Sequence, residues 1–96
     1  MMSEDVLELL RELRQSHYVV LYAIYKLKVA CHIDVREALG RERPVSGRYA
    51  DYVLEKLKAL GLVEEISRPR RRVRLFILTD KGRWFVETFV LPFIKK

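Results

Sequence analysis

The sequence contains no asparagine, one glutamine (Gln15) and one cysteine (Cys31). A single cysteine excludes an internal disulfide. Depletion of thermolabile amides beside 12 Arg and 7 Lys is a compositional bias reported for hyperthermophile proteins. No apolar run approaches the roughly 20 residues of a membrane-spanning helix, because Lys26 and Lys28 end the longest one. The opening Met1-Met2-Ser3-Glu4-Asp5 is acidic, unlike the basic start of a secretory leader. These absences lead us to expect a soluble, cytoplasmic protein without a membrane partner. The sequence also lacks a Ser/His/acid arrangement, a phosphate-binding glycine loop and carboxylates clustered in an apolar setting, so no enzyme is expected. Cys31-His32 falls short of the three or four ligands of a zinc site, since the other histidine is the distant His17. Cys31 is expected to pack as a small hydrophobe, with a sensing thiol or interchain disulfide as the alternative, and His32 to cap or hydrogen-bond a helix end. No metal and no cofactor are expected.

What is present is charge of one sign, unevenly placed. The 96 residues carry a net charge of +6, and half of them are hydrophobic, enough for one domain over 1–96 and not for two. Residues 1–14 hold four acids against Arg11 and Arg14. Residues 66–75 hold Arg68, Arg70, Arg71, Arg72 and Arg74 with no acid. Cationic excess gathered in one stretch points to a localised anionic partner.

Ser3 is placed to cap a first helix in which Val6, Leu10 and Leu13 recur at helical spacing. Gln15-Ser16 either interrupts this helix or sits within it. The run from His17 to Leu27 is almost wholly apolar or aromatic, which predicts a helix covered on nearly every side. Asp34 reads as an N-cap with Glu37 as its capping-box partner, Ile33 and Ala38 as a hydrophobic staple, and Gly40 as the stop. Ser46 caps a helix over 47–60 whose inward stripe is Ala50, Val53, Leu54, Leu57 and Leu60; Gly61 then takes the left-handed position. Residues 62–66 and 73–78 read as strands of a hairpin with an arginine-loaded tip. Thr79 caps a last helix with a wide apolar face. The order is helix, helix, helix, strand, strand, helix: mainly α with a small β-hairpin.

With these elements in place, the chain resembles the winged helix-turn-helix DNA-binding family, in particular small MarR-like and PadR-like transcriptional regulators. The likeness is carried by Val53-Leu54-Glu55-Lys56-Leu57-Lys58-Ala59-Leu60-Gly61-Leu62-Val63 and by Leu78-Thr79-Asp80-Lys81-Gly82. It covers roughly residues 17–90. The resemblance implies that residues 47–60 are the recognition helix and residues 67–72 the wing.

In that frame, Ser46, Gly47, Arg48, Asp51 and Tyr52 face outward near the start of the recognition helix, the part that meets base edges in the major groove. Arg48 suits guanine O6 and N7; the bland alternative is a surface pair between Arg48 and Asp51. Tyr52 would reach a phosphate or a thymine methyl, Tyr49 would help from the edge, and the free N–H groups at the helix start suit a phosphate. Five arginines on a hairpin outnumber nearby acids, Glu64 and Glu65 satisfying two at most. Those in the wing would lie in the minor groove or along phosphates, unless the run is merely a charged guard on the hairpin edge. Arg41 and Arg43 would add backbone contacts.

Trp84, Phe85, Phe89, Val90, Phe93 and Ile94, with Leu7 and Leu9 of the first helix, exceed what so small a core needs. Pairing of two chains through residues 1–16 and 80–96 would bury them and set two recognition helices about one DNA turn apart. The alternative is that these aromatics close over their own core. The expected function is therefore sequence-specific binding of double-stranded DNA by a homodimeric transcriptional regulator, a repressor more readily than an activator. The rivals are a winged helix used as a protein-interaction module and the binding of structured RNA.

Overall fold

The structure, a computed structural model, describes residues 4–41, 44–66 and 72–94. The Ser3 cap, Arg43 and the wing residues Arg68, Arg70 and Arg71 lie outside the described residues. In chain order the elements are α1 (Glu4–Glu12), α2 (Gln15–Leu27), β1 (Ala30–Cys31), α3 (His32–Leu39), α4 (Gly47–Ala59), β2 (Val63–Glu65), β3 (Leu75–Leu78) and α5 (Asp80–Phe85). α5 continues through a π-helical turn (Val86–Val90) into α6 (Leu91–Ile94).

The first helical stretch is divided, one residue before the expected site, at Arg14, whose backbone is extended. His17 explains the restart. Its Nδ1 accepts the Arg14 backbone N–H at 3.0 Å, a donor that the opening turn of α2 would leave without a partner. His17 is 6 % exposed and its Nε2 has no hydrogen-bond partner among the described residues. α2 then packs against α3, α4, β3 and the π-helical turn. Its buried stripe is Val20, Leu21 and Ile24, with Tyr18, Tyr22 and Tyr25 partly buried around it.

α3 begins three residues earlier than expected, with Cys31 and not Asp34 at the cap position. Asp34 is its third residue and not its cap: the carboxylate accepts the Cys31 N–H at 3.0 Å. Ile33 is half exposed, so it does not form the expected staple. The residues just before α3 make a strand that has no signature in the sequence. β1 pairs antiparallel with β3, Ala30 opposite Phe76 and Cys31 opposite Leu75, giving a sheet ordered β1-β3-β2. Two residues cannot show a period-two pattern. His32, the first residue of α3, is hydrogen-bonded to this sheet edge, its N–H donating to the Arg74 carbonyl and its Nδ1 accepting the Arg74 N–H.

α4 is delimited as its sequence predicts. Ser46 Oγ accepts the Tyr49 N–H at 3.0 Å. Gly61 (φ 77°) donates to the Lys58 carbonyl and Leu62 to the Leu57 carbonyl, a Schellman ending. This ending is bolted to the start of α5. Thr79 Oγ donates to the Gly61 carbonyl at 2.6 Å and accepts the Gly82 N–H at 3.0 Å. The Thr79 N–H donates to the Leu62 carbonyl, and Lys81 Nζ to the Leu60 carbonyl. Gly82 is needed for the approach, since a Cβ there would lie 2.0 Å from the Leu62 carbonyl oxygen.

The π-helical turn has a local cause in Pro92, which has no N–H for a helical bond to residue 88 and whose ring crowds that carbonyl. The bond from the Leu91 N–H to the Val86 carbonyl shows the widened turn. An inserted residue rotates the remainder of the helix, so Phe93 is 76 % exposed whereas Phe85, Val86 and Val90 are buried. The wide apolar face expected of this helix is therefore divided. Leu9, Phe85 and Val90 belong to the core of the single chain, correcting their expected place in a dimer interface; Phe89 packs against that core, partly buried. Leu7, Trp84, Phe93 and Ile94 stay exposed.

Two outcomes test these packing arguments. Gly82→Ala is expected to cost about 3 kcal/mol, lowering Tm by more than about 10 °C, because backbone must move. Gly61→Ala, which meets open space at a positive φ, should cost only about 1 kcal/mol. Equal losses in thermal melts would contradict the tight joint.

His17 supplies a pH signature. Burial, and then the nearby Lys56 charge, lowers its pKa below the usual 6.5. The unfolded chain thus binds this proton more readily than the folded one. Stability from His17 is complete above pH 6.5 and falls as pH drops below it. Urea midpoints should fall between pH 6.5 and 5.5 in the wild type and hold steadier in His17→Gln.

Candidate nucleic-acid interface

α4 buries Ala50, Val53, Leu54 and Leu57, which leaves Arg48, Asp51, Tyr52 and Glu55 along its outer face at spacings of three and four residues. Tyr52 is the most open of the apolar groups here, 64 % exposed. Arg48 is exposed and has no ion-pair or hydrogen-bond partner among the described residues. Tyr49 is partly committed elsewhere. Its hydroxyl shares a 2.6 Å hydrogen bond with Ser16 Oγ at the start of α2, and its ring stacks on Tyr52 with centroids 6.5 Å apart. This bond fixes the first turn of α4 against α2. From α3, Arg36 Nε donates to the Val45 carbonyl at 3.1 Å and holds the connector into α4.

The wing strand stands beside this face. β3 carries Arg74 just before its first residue, and the guanidinium reaches across three acids. Its Nη1 donates to Asp51 Oδ1 at 3.2 Å and its Nη2 to Glu55 Oε2 at 2.8 Å. Nη2 and Nε donate to the two Glu65 oxygens, at 2.9 and 3.0 Å. Lys58 Nζ joins the same cluster, 2.9 Å from Glu65. The hydrogen bonds to Glu65, followed by those to Glu55, raise the Arg74 pKa against the opposing effect of partial burial. Those to Glu65 likewise raise that of Lys58.

Two expectations change here. Arg74 is not a cation in search of an external anion, because internal acids on α4 and β2 hold it. The bland pairing of Arg48 with Asp51 is also not what forms, since Asp51 is taken by Arg74. The sequence hid this network because Asp51 and Glu55 lie 23 and 19 positions from Arg74. Arg72, by contrast, is exposed without a partner among the described residues, as is Arg41 at the end of α3. Ser46 is exposed and Gly47 partly so at the start of α4, Ser46 Oγ being its cap.

Cys31 is a free thiol, partly buried in β1. No group of three or more His, Cys, Asp or Glu among the described residues is placed to hold a metal ion. No helix among them is long and apolar enough to cross a membrane.

No protein-family model matches the chain, and no curated protein sequence matches it. Solved structures do. The chain is similar to Bordetella bronchiseptica BpsR, described for the regulation of its DNA binding by 6-hydroxynicotinic acid, with 30% identity and a TM-score of 0.74 over 88% of this chain and 61% of that one. It is similar to the PcaV transcriptional regulator of Streptomyces coelicolor, with 26% identity and a TM-score of 0.65 over 75% of this chain and 51% of that one. In fold it also resembles a mutant MarR of E. coli complexed with operator DNA, with 22% identity and a TM-score of 0.67 over 80% and 53% of the two chains. The chain thus spans between about half and three-fifths of the length of these neighbours.

Proposed function

We propose that the chain, a winged helix similar to MarR-family regulators, binds double-stranded DNA as a homodimeric transcriptional regulator, acting most simply as a repressor that occupies a short site. The observation that carries the reading is the outer face of α4, where Arg48 projects without an ion-pair or hydrogen-bond partner among the described residues and Tyr52, stacked on Tyr49, stays largely exposed, on a helix fixed at both ends. An unpaired guanidinium near the N-terminus of such a helix is suited to a guanine edge in the major groove. Tyr52 lies one turn beyond it, and the backbone N–H groups around Ser46–Arg48 suit a phosphate. Arg72, with Arg68, Arg70 and Arg71 before it in sequence, would follow the minor groove or the backbone, where binding is electrostatic. Arg41 and Arg43 would reach backbone phosphates beside α4.

Dimerisation is supported by what the terminal helices leave open. Leu7, Trp84 and Ile94 are each 44 % exposed. An open groove of about 1340 Å³, lined in part by Leu10, Tyr18, Tyr22, Leu39, Phe89 and Phe93, runs beside α6. Apolar surface of this kind is the usual mark of an interface, and the terminal helices of a second copy would cover it. Leu9 and Phe85 take no part, being core; Val90, also core, is among the residues that line the groove.

The test compares two variants on duplex DNA. Arg48→Ala should cost about 1–3 kcal/mol on a selected site and relax base preference. Arg72→Ala should weaken binding to all sequences alike and reduce the salt slope by roughly 0.9. Unchanged affinity and preference in Arg48→Ala would remove that residue from the base-reading role. A single-chain mass in sedimentation at micromolar concentration would count against the dimer.

A further inference from the structure

An acid on a surface that meets DNA needs a reason. A carboxylate beside phosphates is repelled, and like charges juxtaposed in an interface disfavour binding. Yet Asp51 and Glu55 both sit on the outer face of α4, on the same stripe as Arg48 and Tyr52. The Arg74 network answers the cost. Its guanidinium is gripped by both Glu65 oxygens and by Glu55, and it lies 5.1 Å from the centre of the Phe76 ring. From that fixed position one N–H fork is left for Asp51, and it takes Oδ1 alone. Oδ2 has no partner among the described residues, and the Asp51 side chain is 54% exposed. The result is a partly neutralised acceptor, held in one orientation before any ligand arrives, which removes part of the ordering cost of binding.

Resting on the DNA-binding reading above, we propose that Asp51 is a specificity-determining residue that accepts a hydrogen bond from the exocyclic amino group of a cytosine in the major groove, and that Arg74 is its positioning residue. Cytosine N4 is the donor that a carboxylate selects. Adenine offers an amino group too, but its neighbouring N7 is an acceptor that repels a carboxylate, whereas cytosine has a carbon there. Thymine and guanine present acceptor oxygens at the corresponding edge. Arg74 in this account touches no base and no phosphate. It screens the acid and aims it.

The experiment is site selection from a random duplex library with the full chain, followed by titration of the selected duplex, a single-base C→T series and random duplex. The proteins are wild type, Asp51→Ala, Arg74→Met and the double variant, each checked for folding by thermal melt. In the wild type, one cytosine is expected whose change to thymine costs about tenfold in Kd. Asp51→Ala should lose that discrimination and bind random duplex more tightly, since a negative charge has gone. Arg74→Met should weaken binding to every duplex with the salt slope unchanged, and adding Asp51→Ala should restore affinity without restoring the preference. Retention of every base preference by Asp51→Ala would overturn the assignment. So would a salt slope reduced by roughly 0.9 in Arg74→Met without recovery in the double variant, the mark of a direct phosphate contact. If Arg74→Met does not fold, Asp51→Ala alone decides. Absence of wild-type binding to any duplex is a different result, which removes the DNA reading itself along with this assignment.

Discussion

The arrangement depends most on the joint between the end of α4 and the start of α5. Thr79 uses its hydroxyl twice, as donor to the Gly61 carbonyl and as cap for the Gly82 N–H, while its own N–H takes the Leu62 carbonyl. Carbonyls that the end of α4 would leave bare are satisfied by the element on the far side of the wing. The hairpin between them is thereby closed at its base, with Val63 opposite Leu78. α4 cannot shift along its axis without breaking this set, and the missing side chain at Gly82 is what lets the two backbones meet. The other end of α4 is held by the Ser16–Tyr49 bond and by Arg36 on the connector. A helix pinned at both ends presents its outer face as a fixed surface.

Electrostatics then sort the cations of that surface into two kinds. Arg74 and Lys58 are structural, gathered with Asp51, Glu55 and Glu65 into a network that ties β2 and β3 to α4. Arg48 and Arg72 are exposed and unpaired among the described residues. A partly buried guanidinium shared by three carboxylates is firmly placed, whereas isolated exposed ion pairs such as Lys56–Glu12 at 3.5 Å add little. Net charge alone did not separate these kinds, because it counts Arg72 and Arg74 alike.

Much of the fold was legible because its boundaries carry their own chemistry. Ser46, Gly61 and Thr79 are caps whose function is local, and each stands where its residue type predicts. The period-two run at 73–78 likewise gave the second hairpin strand, shorter by two residues at its start. What escaped was non-local or too short to have a pattern. β1 spans two residues and exists because β3 lies beside it. Asp34 has the composition of a cap, yet it serves as the third residue of α3 because Cys31 is held extended in the sheet. Leu9, Phe85 and Val90 looked surplus on a helical wheel, but the break at Arg14 and the π-helical turn re-aim the ends of the chain and put them in the core. The outer face of α4 was legible as a list of residues. Which of them are already bound was not, since Asp51, Glu55 and Arg74 meet only in three dimensions.

The most direct measurement is a fluorescence-anisotropy titration of the wild-type chain against random-sequence duplex DNA at two salt concentrations, with duplex RNA as competitor. The account predicts micromolar binding that weakens steeply with salt and yields little to the RNA. No binding to duplex DNA even at low salt would contradict it and leave the cationic hairpin to an acidic protein partner.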